Sequence, residues 1–190
     1  MKNILFFGDS LTAGYGLSNA ENQSFPGLIR HKINQLRLPY LVINGGVSGD
    51  TSGAGLNRLN YWLSRPIDLF VLELGINDIM QGNSPDQISA SLQTIIDRVK
   101  ARYPEVKIVL MGMEVPVFIP SPFISEFSSL YRRLAVTNKI ALLPFLLAGV
   151  AGRADLNLSD RIHPSAEGYQ IIAENVWKVI GPLLSSESVV

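Results

Sequence analysis

No cysteine occurs among the 190 residues, which excludes disulfides, thiolate catalysis and cysteine-ligated zinc. Only two histidines, His31 and His163, are present, so a multi-histidine metal site is excluded as well. His31 sits between Arg30 and Lys32 in a segment of helical pattern and reads as solvated. Neither charge sign prevails: 16 Lys and Arg balance 16 Asp and Glu. No net field attracts nucleic acid or an anionic membrane. Long hydrophobic runs are missing too. The longest, Ile140 to Ala151, contains Pro144 and is too short to span a bilayer. Met1-Lys2-Asn3 leads directly into a strand-like run, without the n-region, h-region and cleavage site of a signal peptide. The chain reads as a soluble protein, a pattern that fits a cytoplasmic protein and a periplasmic or secreted one relieved of its signal.

What is present is an ordinary globular composition, 47% hydrophobic and 17% charged, in a length suited to one domain with a sizeable core. Strand-like and helix-like segments alternate throughout. A first strand ends in Leu5-Phe6-Phe7. Ser24 and Pro26 open a helix running to about Leu36, and Tyr40 to Asn44 is a second strand. Leu56, Leu59 and Leu63 recur at helical spacing before a third strand, Ile67 to Leu74. Ser84 and Pro85 open a helix whose apolar stripe is Ile88, Leu92, Ile95, Ile96 and Val99. Val106 to Met111 is a fourth strand, and Glu114 to Ser125 an apolar connection. A helix from about Phe123 to Val136, a fifth strand at Ile140 to Leu143 and a last helix from Ser165 to Leu184 complete the chain, with a frayed tail from Ser185. The pattern predicts a three-layer α/β/α domain around a five-stranded parallel sheet in the flavodoxin-like order 2-1-3-4-5.

In such a sheet, ligands bind beyond the carboxyl ends of the strands. Gly8-Asp9-Ser10-Leu11 follows the first strand, Gly45-Gly46-Val47-Ser48-Gly49 the second, and Gly75-Ile76-Asn77-Asp78 the third. Taken singly, each reads as a turn or helix entry. Together they bring one edge a serine hydroxyl, a glycine N–H free of Cβ obstruction, and an amide donor, as acyl transfer requires. A serine needs a base, and His163 is the imidazole available. Asp160, three residues earlier in the turn Asp160-Arg161-Ile162-His163, can fold back to orient it. The candidate catalytic residues are Ser10, Asp160 and His163; Gly49 and Asn77 are candidate oxyanion donors.

These four blocks resemble those of the SGNH, or GDSL-type, esterases and lipases. The resemblance runs from Ile4 to the final helix. It is strongest toward the bacterial thioesterase I, arylesterase and lysophospholipase L1 branch, through Ala13-Gly14-Tyr15 and Ser48-Gly49-Asp50-Thr51. Ile76 departs from the second glycine common there. The resemblance implies attack by Ser10 on an acyl carbonyl, proton transfer through His163, an oxyanion held by the Ser10 and Gly49 N–H groups with the Asn77 side chain, and hydrolysis of the resulting acyl-enzyme, with no metal or cofactor. Asp9 and Ile76, with Val117, Phe118, Ile119 and Phe123 of the apolar connection, are candidate substrate contacts lining an acyl groove. The expected substrates are short- to medium-chain acyl and aryl esters, acyl thioesters and lysophospholipids. The same machinery also serves carbohydrate O-acetylesterases, which favour a polar cleft with aromatic platforms. An α/β-hydrolase would need Gly-x-Ser-x-Gly, and a nucleotide-binding protein a P-loop or a complete Gly-x-Gly-x-x-Gly; the chain has none of these. A non-catalytic receiver-like module could cite Asp9 and Asp78, but Asp9 is followed by serine rather than a second acid, and Lys139 precedes the fifth strand.

Overall fold

Seven residues of the first apolar run, Lys2–Gly8, form β1, and the last five are buried. The computed structural model describes residues 1–115 and 122–185. The expected groove residues Val117, Phe118 and Ile119 lie outside the described residues, as does the tail from 186 onward. After β1 come two one-turn helices, α1 (Ser10–Ala13) and α2 (Ala20–Gln23), then α3 (Phe25–Gln35) and β2 (Tyr40–Asn44). The chain continues through α4 (Ser52–Trp62), β3 (Leu69–Glu73), α5 (Ile76–Met80), α6 (Pro85–Arg102) and β4 (Lys107–Met111). It ends with α7 (Pro122–Asn138), β5 (Ala141–Leu143) and α8 (Ala166–Ser185).

All strand pairs are parallel, in the order β2-β1-β3-β4-β5. This is the predicted topology. Every residue of β3 is buried, while only Tyr40 of the edge strand β2 is buried, as a sheet covered on both faces and open at its edges requires. Helices α3 and α8 pack together, and α4, α6 and α7 pack in succession, the two-sided arrangement that right-handed crossovers impose. Helix α6 begins with a capping box between Ser84 and Gln87 and carries Pro85 in its first turn, which satisfies otherwise orphaned N–H groups. Its five predicted apolar residues are all fully buried.

Two expectations about elements change. The helices α1 and α5 are too short for a hydrophobic period to announce them. The connection expected from Glu114 to Ser125 is already helical from Pro122. His31 is exposed on α3, with its Nε2 3.1 Å from the Asn22 Oδ1.

Candidate active site

The carboxyl ends of β1 and β3 lie side by side, Gly8 paired with Glu73, so the turns that follow them share one edge of the sheet. At Gly8 the chain passes so close to β3 that a Cβ would collide with the Thr12 hydroxyl and the Glu73 carboxylate, and would lie 2.6 Å from the Glu73 carbonyl oxygen. We expect Gly8→Ala to destabilise the fold by about 1–3 kcal/mol or more, read as a lower urea midpoint with an unchanged m-value.

Beyond Gly8, Asp9 caps α1. Its Oδ1 accepts the Leu11 N–H at 2.9 Å, placing Ser10 as the first helical residue with its own N–H unused among the described residues. Tyr169 of α8 donates to the Leu11 carbonyl at 2.8 Å and straps the same turn from the other side. Ser10 Oγ lies 2.9 Å from His163 Nε2, and His163 Nδ1 lies 2.7 Å from Asp160 Oδ2. The second oxygen, Asp160 Oδ1, accepts the backbone N–H groups of Ile162 (2.9 Å) and His163 (3.0 Å). These hydrogen bonds, the ring's first, hold the Asp160 carboxyl down to about 2. With a carboxylate at Nδ1, the neutral ring keeps its proton there and Nε2 is left to accept the Ser10 hydroxyl. Tyr15 covers the imidazole, its ring centroid 4.7 Å away.

Gly49 follows β2 in the loop beside this turn, where Val47 N–H donates to the Gly8 carbonyl at 3.0 Å. Its φ of +83° suits glycine, the space at its α-carbon is open, and its N–H has no acceptor among the described residues. Asn77 stands one residue into α5 and its side-chain nitrogen donates to Asp9 Oδ2 at 3.0 Å and to the Asp50 carbonyl at 2.9 Å. Both amide hydrogens are therefore engaged with protein. In this state the unspent donors are the Ser10 and Gly49 N–H groups, and Asn77 can turn to an oxyanion only by loosening one of its two bonds. Asp50 is itself fixed by Arg58, 2.5 Å away, whose guanidinium also donates to the Gly8 carbonyl at 2.9 Å.

Two of the expected substrate contacts lie away from the cavity lining. Asp9 is fully buried, and its two oxygens accept from the Leu11 N–H and the Asn77 amide. Phe123 lies in the first turn of α7, exposed, and is not part of the cavity wall. The cavity on which Ser10, Asn77 and His163 open has a volume of about 330 Å³, at the lower end for ligand sites. Its walls are Leu11, Ile76, Met80, Met113, Val115, Leu147 and Ile162, with Glu114, Asn157 and Arg161 as polar members. Met113 and Leu147 come from the segments after β4 and β5, which only the sheet order brings beside Ser10. A larger cleft of about 620 Å³ opens at the amino edge of the sheet, among Lys2, Arg65, Arg102 and Tyr103, but it holds none of the candidate residues. Among the described residues no group of three His, Asp or Glu side chains is arranged to hold a metal ion, and no helix is long and apolar enough to cross a membrane.

Residues 6–171 match the model of the GDSL-like Lipase/Acylhydrolase family. Esterase TesA of Pseudomonas aeruginosa is 36% identical over 185 residues, spanning 96% of this chain and 90% of that protein. Thioesterase 1/protease 1/lysophospholipase L1 of Escherichia coli K12 is 34% identical over 186 residues, spanning 97% and 86%. A crystal structure of TesA superposes with a TM-score of 0.89 at 34% identity, covering 96% of this chain and all of that one. The psychrotrophic esterase EstA from Pseudoalteromonas gives 0.87 at 26% identity, covering 97% and 99%. The chain belongs to the GDSL-like lipase/acylhydrolase, or SGNH, family of ester hydrolases.

Proposed function

We propose that this hydrolase is a serine esterase acting on short- to medium-chain acyl and aryl esters, and on acyl thioesters and lysophospholipids, through a Ser10-His163-Asp160 triad and an acyl-enzyme. One observation carries the reading: an unbroken hydrogen-bonded line from Asp160 through His163 to Ser10 Oγ that opens onto a largely apolar cavity.

Ser10 Oγ attacks the acyl carbonyl as His163 Nε2 takes its proton, and Asp160 stabilises the imidazolium that forms. The developing oxyanion meets the N–H groups of Ser10 and Gly49, and the Asn77 amide as it shifts from Asp9 or Asp50. His163 then returns its proton to the departing alcohol or thiol. Water repeats the cycle to release the acid. The apolar walls favour an aliphatic or aryl acyl group over an acetylated sugar, and the small volume favours shorter chains. The names of the relatives, an arylesterase of Vibrio mimicus among them, support ester and thioester substrates.

The test is hydrolysis of p-nitrophenyl esters from acetate to palmitate. The expected profile peaks at short to medium chains; no hydrolysis of any member would overturn the reading. Within the series, Leu147→Ala strips wall area from the cavity, and at about 0.8 kcal/mol per buried methylene we expect kcat/KM for the octanoate ester to fall roughly 10-fold while acetate barely changes. An equal loss at every chain length would detach Leu147 from the acyl group.

A further inference from the structure

Beneath the Ser10 turn lie two carboxyl groups that the mechanism above does not use. Glu73 closes β3 and Asp9 follows β1; they are 1% and 0% exposed. Carboxyl groups are almost never so buried without partners of opposite charge, and among the described residues this pair forms no ion pair. The nearby cation, Arg58, pairs with Asp50 and donates to the Gly8 carbonyl, and its Nη1 is buried without an acceptor among the described residues. Four donors serve the pair instead. Glu73 Oε2 accepts the Asp9 N–H at 3.1 Å and the Thr12 hydroxyl at 2.8 Å, while Asp9 accepts from Leu11 N–H and the Asn77 amide. The remaining oxygen, Glu73 Oε1, is buried with no N–H or O–H donor among the described residues. Two buried carboxylates this near, one accepting the backbone N–H of the other, cannot both ionise cheaply in such surroundings. One proton held between them supplies the missing donor.

We propose that Glu73 is a positioning residue for acyl transfer: it holds one proton jointly with Asp9, and through this singly charged pair it sets the Ser10 turn and the Asn77 amide. The inference rests on the esterase reading. Glu73 reaches Ser10 by two routes. It fixes the backbone at Asp9 and the side chain at Thr12, on either side of the nucleophile, and it supports the Asp9 carboxyl that Asn77 binds. Both candidate donors from these elements, the Ser10 N–H and the Asn77 amide, are thus registered to the end of β3. Losing the shared proton would place a second negative charge directly under the position where the oxyanion forms, and would tighten the hold of Asp9 on Asn77.

Other groups around the pair are already committed. Asp50 before α4 is paired with Arg58, Asp78 of α5 binds the Ser52 N–H and hydroxyl, Tyr131 of α7 donates to the Leu74 carbonyl, and Tyr169 of α8 donates to the Leu11 carbonyl. Burial first, then the charge of Glu73, raises Asp9 well above the usual carboxylate range; burial raises Glu73. A carboxyl raised in the folded state binds more protons there than in the unfolded chain. Its effect on stability therefore falls as pH rises above the ordinary carboxylate range and through the folded value.

Glu73→Gln supplies a neutral amide of the same shape, donating to Asp9 and accepting from Asp9 N–H and Thr12. It should keep kcat within about 3-fold of wild type near neutrality and resist the alkaline decline in kcat that the proposal predicts for the wild type. Glu73→Leu should lower kcat roughly 10- to 100-fold with KM little changed, short of the loss of a whole oxyanion donor. Infrared spectroscopy reads the proton directly. Wild type at neutral pH should show the carbonyl stretch of a buried carboxylic acid, absent from Glu73→Gln. Three results would each overturn the proposal: no acid band in the wild type, an alkaline decline unchanged in Glu73→Gln, or a kcat in Glu73→Gln as low as in Glu73→Leu. If Glu73→Leu does not fold, the glutamine variant and the infrared band carry the test. Failure of the esterase reading would appear separately, as a wild type inactive on every ester, and would leave the band to be measured.

Discussion

Replacing Ser10 with alanine should lower kcat on p-nitrophenyl butyrate by roughly 10⁴- to 10⁶-fold, the range seen when a triad nucleophile is removed, while leaving the fold intact. The separation of these effects follows from how little else the Ser10 hydroxyl does. Its one side-chain hydrogen bond is to His163 Nε2. The turn is held by the Asp9 cap on Leu11, by Thr12 on Glu73 and by Tyr169 on the Leu11 carbonyl, none of which alanine disturbs. Alanine keeps the backbone N–H that the proposed mechanism uses as an oxyanion donor, so a small residual rate above water is expected. Thermal unfolding should move only slightly, by an amount consistent with one hydrogen bond, about 1 kcal/mol. A purified variant retaining more than about one per cent of wild-type kcat, against a loss of about 10⁴ or more, would mean that another group attacks the ester.

Asp160→Asn should be the second most damaging change, lowering kcat by about 10³- to 10⁴-fold. Asparagine can still accept the Ile162 and His163 N–H groups through its oxygen, so the turn survives. Its amide would then face His163 Nδ1, the position 2.7 Å from the present carboxylate oxygen, and a donor there drives the ring proton to Nε2. The imidazole would donate toward Ser10 instead of accepting from it. KM should change little. The substitution also has a signature in stability. Asp160 is held down to about 2, so its hydrogen bonds strengthen the fold above the ordinary aspartate value near about 4 and cease to do so as pH falls through about 2. Wild type should lose part of its thermal stability across that acid window, and Asp160→Asn should not lose that part. The side chain is 38% exposed, which keeps this contribution small. A pH profile of unfolding identical in the two proteins would show that the Asp160 hydrogen bonds do not favour its charged form.

The scaffold was legible because its signals are local. The buried runs of β1, β3 and β4 and the capping box and apolar stripe of α6 are written within a few residues of each other. The proximity of Ser10, His163 and Asp160 also followed, since the sheet order fixes which turns share an edge. What escaped was set by partners far along the chain. Asp9 looks available to a substrate in the sequence, but the Leu11 N–H and Asn77, 68 positions away, take both its oxygens. Glu73 was hidden inside a strand-like run. A carboxylate in an otherwise apolar strand was the available signal, and its meaning emerged only when Asp9 N–H, 64 positions earlier, was seen to donate to it. Met113 and Leu147 line the cavity although nothing in their own neighbourhoods distinguishes them from core residues. Phe123 stands outside the described cavity lining because α7 begins at Pro122 and its first turn carries that ring to the surface.

Ser10 and the imidazole that touches it are separated by 153 positions, and the tyrosine strap on the neighbouring carbonyl by 158. At about 5–20 residues per second, a ribosome needs roughly 10–30 s to travel from the serine to the histidine. Throughout that interval the nascent chain carries Ser10 without His163, Asp160 or the strap. With the proposed triad, the serine gains its base only when late-made residues close over early-made ones, so a partly synthesised copy cannot turn its hydroxyl on the esters around it.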